Sequence, residues 1–311
     1  VAVGTDALTA NTTGTRNVAV GYAALDANTT ADDNVAVGAA ALGANTTGDQ
    51  NLAIGSNSLL VNTTGRNNIS LGHGALTANT TANQNVAIGP AALDANTTGA
   101  SNIGIGYGAL SGNTTASNNV AVGDLAMVAN TTGTDNVAVG AYALDANTTG
   151  LQNVAIGRDA LTASTTASWN TAVGREALKA VTTGTYNTAV GRTAGMLITT
   201  GANNTVLGAN ALDAATTANN NTALGYGSLG ANTSGSENIA VGGAALEANT
   251  TAASNTAVGY TALAANTTGS ANVAIGAYAL DANSTAGNNT AVGYASLGAN
   301  TTGTGNVSIG R

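Results

Sequence analysis

The chain contains very few of the residues that carry chemistry. Its 311 residues include no Cys, no Phe, one Pro, one His, and 7 Lys+Arg against 15 Asp+Glu. Acid–base, nucleophilic and metal catalysis need His, Cys, Lys, Asp or Glu side chains gathered at one site. His73 has no catalytic partner in the sequence, and its place in the pattern predicts an exposed residue. The composition therefore argues against an enzyme and predicts no catalytic residue, cofactor or metal ligand.

Three further absences narrow the class of protein. The net charge of −8 lacks the dense Lys/Arg surface that nucleic-acid binding requires. No apolar run approaches the roughly 18 residues of a membrane-spanning helix, and without Cys there is neither a disulfide nor a thiolate metal site. A 43% hydrophobic fraction with little net charge per residue is also unlike a disordered chain. We therefore expect a folded chain with no nucleic-acid partner and no membrane span.

What the chain does contain is one repeat. Asn recurs every 17 residues, at Asn17, Asn34, Asn51 and onward to Asn306, without an insertion. The consensus is N-V-A-V-G-x-x-A-L-x-A-N-T-T-G-x-x, and we number its slots 1 to 17 from this Asn. Residues 17–305 hold seventeen complete copies, and the chain starts and stops inside a copy. We expect residues 1–311 to form one repeat domain, a fragment of a longer repeat protein.

The repeat predicts an all-β solenoid. Slots 2 to 4 hold β-branched residues at alternate positions, as in Val18-Ala19-Val20, and slot 5 is Gly in all nineteen copies that reach it. We expect one strand at slots 2 to 4 and a second short strand over residues 25–30 and their equivalents. A 17-residue unit cannot bury an apolar face alone, but stacked units can. The predicted fold is a parallel β-roll of about eighteen coils, a rod roughly 85 Å long.

Slot 3 indicates how copies of the chain associate. It is always Ala, Ser, Gly or Val, although slots 2 and 4 would share the opposite face of the strand. A solvent-exposed face would accept long polar side chains, so we expect a homo-oligomer, a trimer by preference, packed through small residues such as Ala19, Ala36 and Ala53. The alternative is a thin coil that takes the Ala inside, with the aliphatic slots packing elsewhere.

Charge and aromatic residues follow a strict partition. All 22 charged residues fall in slots 6, 7, 10, 16 and 17, and every Tyr and Trp falls in slots 6, 7 or 17. These slots are predicted to be the exposed corners of the coil.

Residues 153–203 concentrate cations and the sole Trp at these corners. Aromatic rings with nearby Arg could hold a glycan or an acidic ligand. The candidate ligand surface comprises Arg158, Trp169, Arg175, Lys179, Tyr186 and Arg192. The simpler alternative is sequence drift at a surface that tolerates substitution. Gly195, where slot 9 should be Leu, predicts a local distortion.

Asn-Thr-Thr at slots 12 to 14 allows two interpretations. It matches a glycosylation sequon in fourteen copies, but four successive copies replace the Asn with Ser164, Val181, Ile198 and Ala215. Val and Ile at that slot favour a packed position, so we expect internal ladders of Asn and Thr that bond from coil to coil. The regular Thr columns also raise ice binding as an alternative function.

The pentapeptide at slots 1 to 5, as in residues 85–89 (Asn-Val-Ala-Ile-Gly) and 153–157, resembles the head repeats of trimeric autotransporter adhesins, the YadA-like β-roll. The present repeat is longer, and Asn stands where that family usually has Ser. The Ala-Leu-x-Ala-Asn-Thr-Thr-Gly half is similar to repeats of bacteriophage tail fibres and large bacterial surface proteins. Both resemblances imply a trimeric fibre outside the cell, on a cell or virion surface. The function expected is a non-enzymatic structural or adhesive fibre that binds a host-surface or glycan receptor, or a tail-fibre shaft.

Overall fold

The computed structural model describes all residues 1–311, which form short strands joined by turns and no helix. No helix is therefore present that could cross a lipid bilayer. The chain divides into two compact units, residues 1–153 and 154–311. The strands of the first unit are β1 Ala2–Val3, β2 Val18–Val20, β3 Val35–Val37, β4 Leu52–Ile54, β5 Ile69–Leu71, β6 Val86–Ile88, β7 Ile103–Ile105, β8 Val120–Val122 and β9 Val137–Val139. Those of the second unit are β10 Val154–Ile156, β11 Thr171–Val173, β12 Thr188–Val190, β13 Thr205–Leu207, β14 Thr222–Leu224, β15 Ile239–Val241, β16 Thr256–Val258, β17 Val273–Ile275, β18 Thr290–Val292 and β19 Val307–Ile309.

Each unit is a parallel β-solenoid. Successive strands pair in parallel with a constant register of 17 residues, for example Val18 opposite Val35 in the first unit and Thr171 opposite Thr188 in the second. One turn of the chain therefore makes one coil, and equivalent slots lie directly above one another. The predicted fold class, an all-β solenoid of 17-residue coils, is confirmed in both units.

Glycine at slot 5 ends the strand and lets the coils approach closely. Gly21 has φ of +132°, and a Cβ at this residue would lie 2.6 Å from the carbonyl oxygen of Gly38 in the next coil. No other residue can adopt this backbone without strain and a clash. A turn follows, in which the N–H of Ala24 donates to the carbonyl of Gly21. Pro90, the one Pro of the chain, occupies the second position of the equivalent turn, where its fixed φ is favourable.

The predicted second strand is wrong. Residues 25–30 contain no strand; Leu25 has φ of +51°, in the left-handed region, and the same holds at slot 9 of every copy. Left-handed backbone costs a non-glycine residue about 1–2 kcal/mol. Leu25 is fully buried, and burial of a Leu side chain contributes about 1.5–3 kcal/mol. The tight bend therefore persists because it directs the one large apolar side chain of the coil into the interior.

The expected interface through slot 3 is also wrong, because the slot 3 side chains point into the coil. Ala19, Ala36 and Ala53 have no exposed surface within the single chain. At Gly104, in the same slot, an added Cβ would approach the side chain of Leu93 to 3.2 Å, which shows that slot 3 faces the Leu column inside the coil. The residues at slot 3 are small because the interior of the coil is narrow. The alternative interpretation, a thin coil with the Ala side chains inside, is therefore correct.

Two Asn columns run through the interior beside the Ala and Leu columns. At slot 1, Oδ1 of Asn17 accepts from the backbone N–H of Asn34, and Nδ2 of Asn34 donates to the carbonyl of Gly48. At slot 12, Nδ2 of Asn45 donates to Oδ1 of Asn28 and to that same carbonyl of Gly48. These buried amides pair from coil to coil. The ladder interpretation of Asn-Thr-Thr is confirmed, and the slot 12 Asn residues are not exposed sugar acceptors.

The expected distortion at Gly195 does not occur. Gly195 has φ of +59°, like Leu at the same slot elsewhere, and the N–H of Ile198 donates to its carbonyl at 3.1 Å as in the other coils. An added Cβ at Gly195 would meet the side chains of Leu178 and Ile198 at about 3 Å. Ile198 at slot 12 thus fills the space that the Leu side chain vacates, and the coil keeps its backbone.

Candidate ligand-binding surfaces

The predicted aromatic pair is present in the second unit. The rings of Trp169 and Tyr186 stack with their centroids 5.0 Å apart and their planes 2° from parallel. Both occupy slot 17, where the backbone is left-handed, and both are about half exposed. The spacing of adjacent strands, about 4.8 Å, is close to the separation that aromatic stacking prefers. The pair forms a flat, partly exposed apolar platform.

The predicted cations lie at slots 6 and 10 and pair mostly with carboxylates. Nε of Arg158 lies 3.3 Å from Asp159, while Arg175 and Lys179 share Glu176, at 3.5 and 3.2 Å. The hydrogen bond from Lys179 and the charge of Arg175 lower the pKa of the Glu176 carboxyl. The like charges of Arg158 and Arg175, which stack at slot 6, are therefore compensated by the acids beside them. Arg192 instead lies 3.5 Å from Oδ1 of Asn210.

The structure does not bring the aromatic and cationic groups together. Trp169 precedes strand β11 and Arg175 follows it, so the two lie at opposite ends of that strand. The three residues of the strand alone span about 10 Å, and the chain turns away at both ends, at Trp169 and at Gly174. The six predicted residues therefore form two separate surfaces. One is the aromatic platform, and the other is a row of cations in which Arg192 alone has no acid partner.

Acidic residues at the exposed corner of the first unit are also paired. Nε of Arg16 donates to Asp33, and this bond lowers the pKa of the Asp33 carboxyl. Asp32 accepts from the backbone N–H and the hydroxyl of Thr15, which lowers its pKa as well. No three His, Cys, Asp or Glu side chains of the chain lie together in a way that could hold a metal ion. His73 lies exposed at slot 6.

An apolar surface that we did not predict lies on the outer side of the strands. Slots 2 and 4 point away from the interior, and their aliphatic side chains remain partly exposed, Ile69 by 40% and Leu207 by 50%. In the first unit, slot 2 carries aliphatic residues only: Val18, Val35, Leu52, Ile69, Val86, Ile103, Val120 and Val137. We call the surface formed by slots 2 and 4 the outer sheet face. The signal was present in the sequence, since slot 4 is aliphatic in every copy, but side-chain direction could not be assigned from it.

A second unpredicted feature is a cleft of about 310 Å³ in the second unit, which we call the Tyr226 cleft. Asp213 and Glu247 line it beside Tyr226, and Gly227 and Gly230 form its floor. The ring of Tyr226 is 69% exposed. Burial of Asp213 in this wall raises the pKa of its carboxyl. The sequence signal is an acid at slot 10 followed by Tyr thirteen residues later.

Comparison with known proteins adds no family. The chain matches no protein-family model, and no curated protein matches it significantly.

Proposed function

We propose that this chain is a non-enzymatic structural and adhesive segment of an extracellular fibre, on a cell or virion surface, which assembles as a parallel homotrimer. The observation that carries this proposal is the outer sheet face. It is apolar along slot 4 in both units, and none of its residues is charged. Monomeric soluble proteins rarely expose a contiguous apolar patch of several hundred Å². The outer sheet face therefore favours coverage by another copy of the chain.

The size of the outer sheet face suits such an interface. Three residues of about 3.3 Å across nine strands spaced at about 4.8 Å give the first unit roughly 430 Å². The ten strands of the second unit add a similar area, so each chain offers about 900 Å². Stable interfaces bury about 800 Å² per partner. The total area that one chain could bury is therefore close to this value, and in a trimer it would be divided between two neighbours.

The oligomer proposal is tested by sedimentation equilibrium of the full chain. We expect a particle of three times the chain mass, and a monomer would contradict the proposal. The variant Val37→Lys/Ile88→Lys/Val122→Lys places cations on the outer sheet face and should dissociate the particle. The matched control Ala39→Lys adds a cation at slot 6, where Arg already occurs in other coils, and should leave the mass unchanged.

One observation favours a second candidate function, ice binding. In the second unit, slot 2 carries Thr in four consecutive coils, and Thr171, Thr188 and Thr205 pair in register on the outer sheet face. A regular array of hydroxyls beside aliphatic side chains could order water. The Thr column at slot 13 is less suitable, because its hydroxyls donate to carbonyls of the next coil, as Thr46 does to Thr63. Thermal hysteresis that is lost in Thr188→Lys/Thr205→Lys would support ice binding, and unshaped ice crystals would exclude it.

A further inference from the structure

The Tyr226 cleft combines groups that the fold itself does not use. The hydroxyl of Tyr226 makes no hydrogen bond within the chain, and no cation pairs with Asp213 or Glu247. By contrast, Glu176 of the second unit is paired with Lys179. An exposed ring beside unpaired carboxylates is therefore available to a ligand.

Glycine opens the floor of the cleft. An added Cβ at Gly227 would meet no atom within 4 Å, so the space above it is vacant. A Cβ at Gly230 would lie 3.9 Å from Oδ1 of Asp213, which places this carboxylate oxygen over the floor. The repeat does not require these glycines, since Ala23 occupies the slot of Gly227 and Leu60 occupies that of Gly230. Larger residues at both slots would fill the cleft, and here they are absent.

The arrangement recurs along the chain. Four of the five Tyr residues at slot 6 follow an acid at slot 10 of the preceding coil, and the pairs are Asp94 with Tyr107, Asp213 with Tyr226, Glu247 with Tyr260, and Asp281 with Tyr294. The rings of Tyr260 and Tyr294 pack edge-on against Tyr278, with centroids 5.7 and 5.6 Å apart, so these two are already occupied within the chain. The fifth, Tyr22, lines a cleft of the same volume beside Asp6 and Asp26. Burial raises the pKa of the Asp94 carboxyl as it does that of Asp213. Recurrent shallow sites of one chemistry are typical of multivalent binding, in which weak contacts add up.

We propose that the Tyr226 cleft, and the equivalent sites at Tyr107 and Tyr22, bind a neutral saccharide. A sugar ring would stack its apolar face on the tyrosine, and the carboxylates of Asp213 and Glu247 would accept hydrogen bonds from its hydroxyls, with the amide of Asn210 at the wall. The net charge of −8 disfavours anionic glycans. This assignment rests on the proposed adhesive function and names its ligand class.

The test is saturation-transfer NMR of the full chain with glucose, galactose, mannose and N-acetylglucosamine, each as the free sugar and as short oligomers. We expect at least one to bind, with little dependence on NaCl concentration. The variant Tyr22→Ala/Tyr107→Ala/Tyr226→Ala should weaken binding by about tenfold or more, the scale of one lost favourable contact per site. Ala already stands at slot 6 in Ala39 and Ala209, so this variant should fold.

Two further variants locate the site. Gly230→Leu should fill the Tyr226 cleft without removing its aromatic ring, and it should lower binding in proportion to the sites lost. Tyr186→Ala removes a tyrosine at another corner and should leave binding unchanged. Sugar binding that survives the triple variant, or that is lost in Tyr186→Ala, would overturn the proposal. So would a chain that binds none of the sugars, or that binds oligolysine in a salt-sensitive manner instead. The mass of the particle is measured separately, so failure here leaves the oligomer test intact.

Discussion

The two units share a backbone but differ in the column of buried residues at slot 12. In residues 1–153 this column is Asn in every coil, whereas in residues 154–311 four consecutive coils carry Ser164, Val181, Ile198 and Ala215. The carbonyl at slot 15 explains why the change is tolerated. Nδ2 of both slot 1 and slot 12 Asn donates to this carbonyl where slot 12 is Asn, and slot 1 alone satisfies it in the substituted coils of the second unit, as Asn187 does for Gly201.

This comparison separates an essential ladder from a replaceable one. The Asn at slot 1 accepts from a backbone N–H that has no other partner, and it is invariant in all eighteen copies. The Asn at slot 12 hydrogen-bonds mainly to the slot 12 Asn residues of the adjacent coils. When both partners of a buried hydrogen bond become apolar, the cost is small, but when one partner is removed the other is left unsatisfied. A run of apolar residues at slot 12 is therefore stable where an isolated one would not be.

The largest expected effect lies in a feature that the units share. Gly89→Ala and Gly242→Ala each place a Cβ 2.5 Å from the carbonyl oxygen of the next slot 5 glycine, at φ near +130°. Strain and overpacking each cost about 1–3 kcal/mol, so we expect a loss of about 4 kcal/mol in either unit. Urea unfolding measures it. Gly243→Ala, at the adjacent open slot, is the control and should be nearly neutral; a slot 5 variant as stable as this control would contradict the role assigned to glycine.

The next effect should differ between the units. Asn85→Ala removes the acceptor of the Asn102 N–H, while Asn96 still donates to the Gly99 carbonyl. Asn187→Ala removes the equivalent acceptor and also the one side-chain donor to Gly201. Each unsatisfied buried group costs about 1–3 kcal/mol. We expect losses of about 3 kcal/mol in the first unit and about 4 kcal/mol in the second by urea unfolding. Equal losses would show that the second donor is not needed.

A smaller effect tests the replaceable ladder directly. Asn96→Val breaks the bonds to Asn79 and from Asn113, and we expect a loss of about 2 kcal/mol in free energy of unfolding. Transplanting the run of the second unit together with its slot 9 glycine, as Asn62→Ser/Asn79→Val/Leu93→Gly/Asn96→Ile/Asn113→Ala, leaves unsatisfied groups at its two ends only. Its total cost should therefore be close to that of the single variant. A cost near four times as large would refute the two-ladder explanation.

The smallest effects concern surface carboxylates and have opposite signs in the two units. Arg16 lowers the pKa of Asp33, so its stabilising contribution is present above the ordinary pKa of Asp, about 3.9, and is lost as the pH falls through the lower folded value. Asp33→Asn should therefore destabilise slightly at pH 7. Burial raises the pKa of Asp213, so its ionised form is unfavourable, and Asp213→Asn should stabilise slightly at pH 7. In thermal unfolding at about pH 3, below the ordinary pKa of Asp, the Asp213 difference should vanish, whereas the Asp33 difference should shrink there and vanish only below the lowered folded pKa.

Much of the fold is predictable because one contact repeats. The Asn at slot 1 and the Gly at slot 5 recur without a single insertion, and their 17-residue spacing is the register of the sheet. Polar pairs inside the coil are also visible in the sequence: Ser58 and Ser70 hydrogen-bond at 2.7 Å, and Ser296 and Ser308 at 2.9 Å, where most other coils have Ala at both slots. Periodicity therefore predicts the coil, its length and the internal ladders.

Side-chain direction and backbone handedness are not predictable in this way. Small residues at slot 3 fit a narrow interior and an interface equally well, so the position of Ala19 had to come from the structure. Leu25 has a positive φ that its residue type disfavours, and the packing of the whole coil overrides that preference. The Tyr226 cleft was missed because its parts come from three coils and are distinguished by glycines, whose effect is an empty space.

The constant register has a consequence for how such a gene can change. Every bond between coils joins a residue to a partner in the adjacent copy, so one copy within a unit can replace another without creating a new kind of contact. Unequal recombination that adds or removes 17 codons, or a multiple of 17, would keep all remaining pairings, whereas any other length would put the altered coil out of register with its neighbour. The DNA encoding this chain can therefore expand and contract in whole steps while each product still folds.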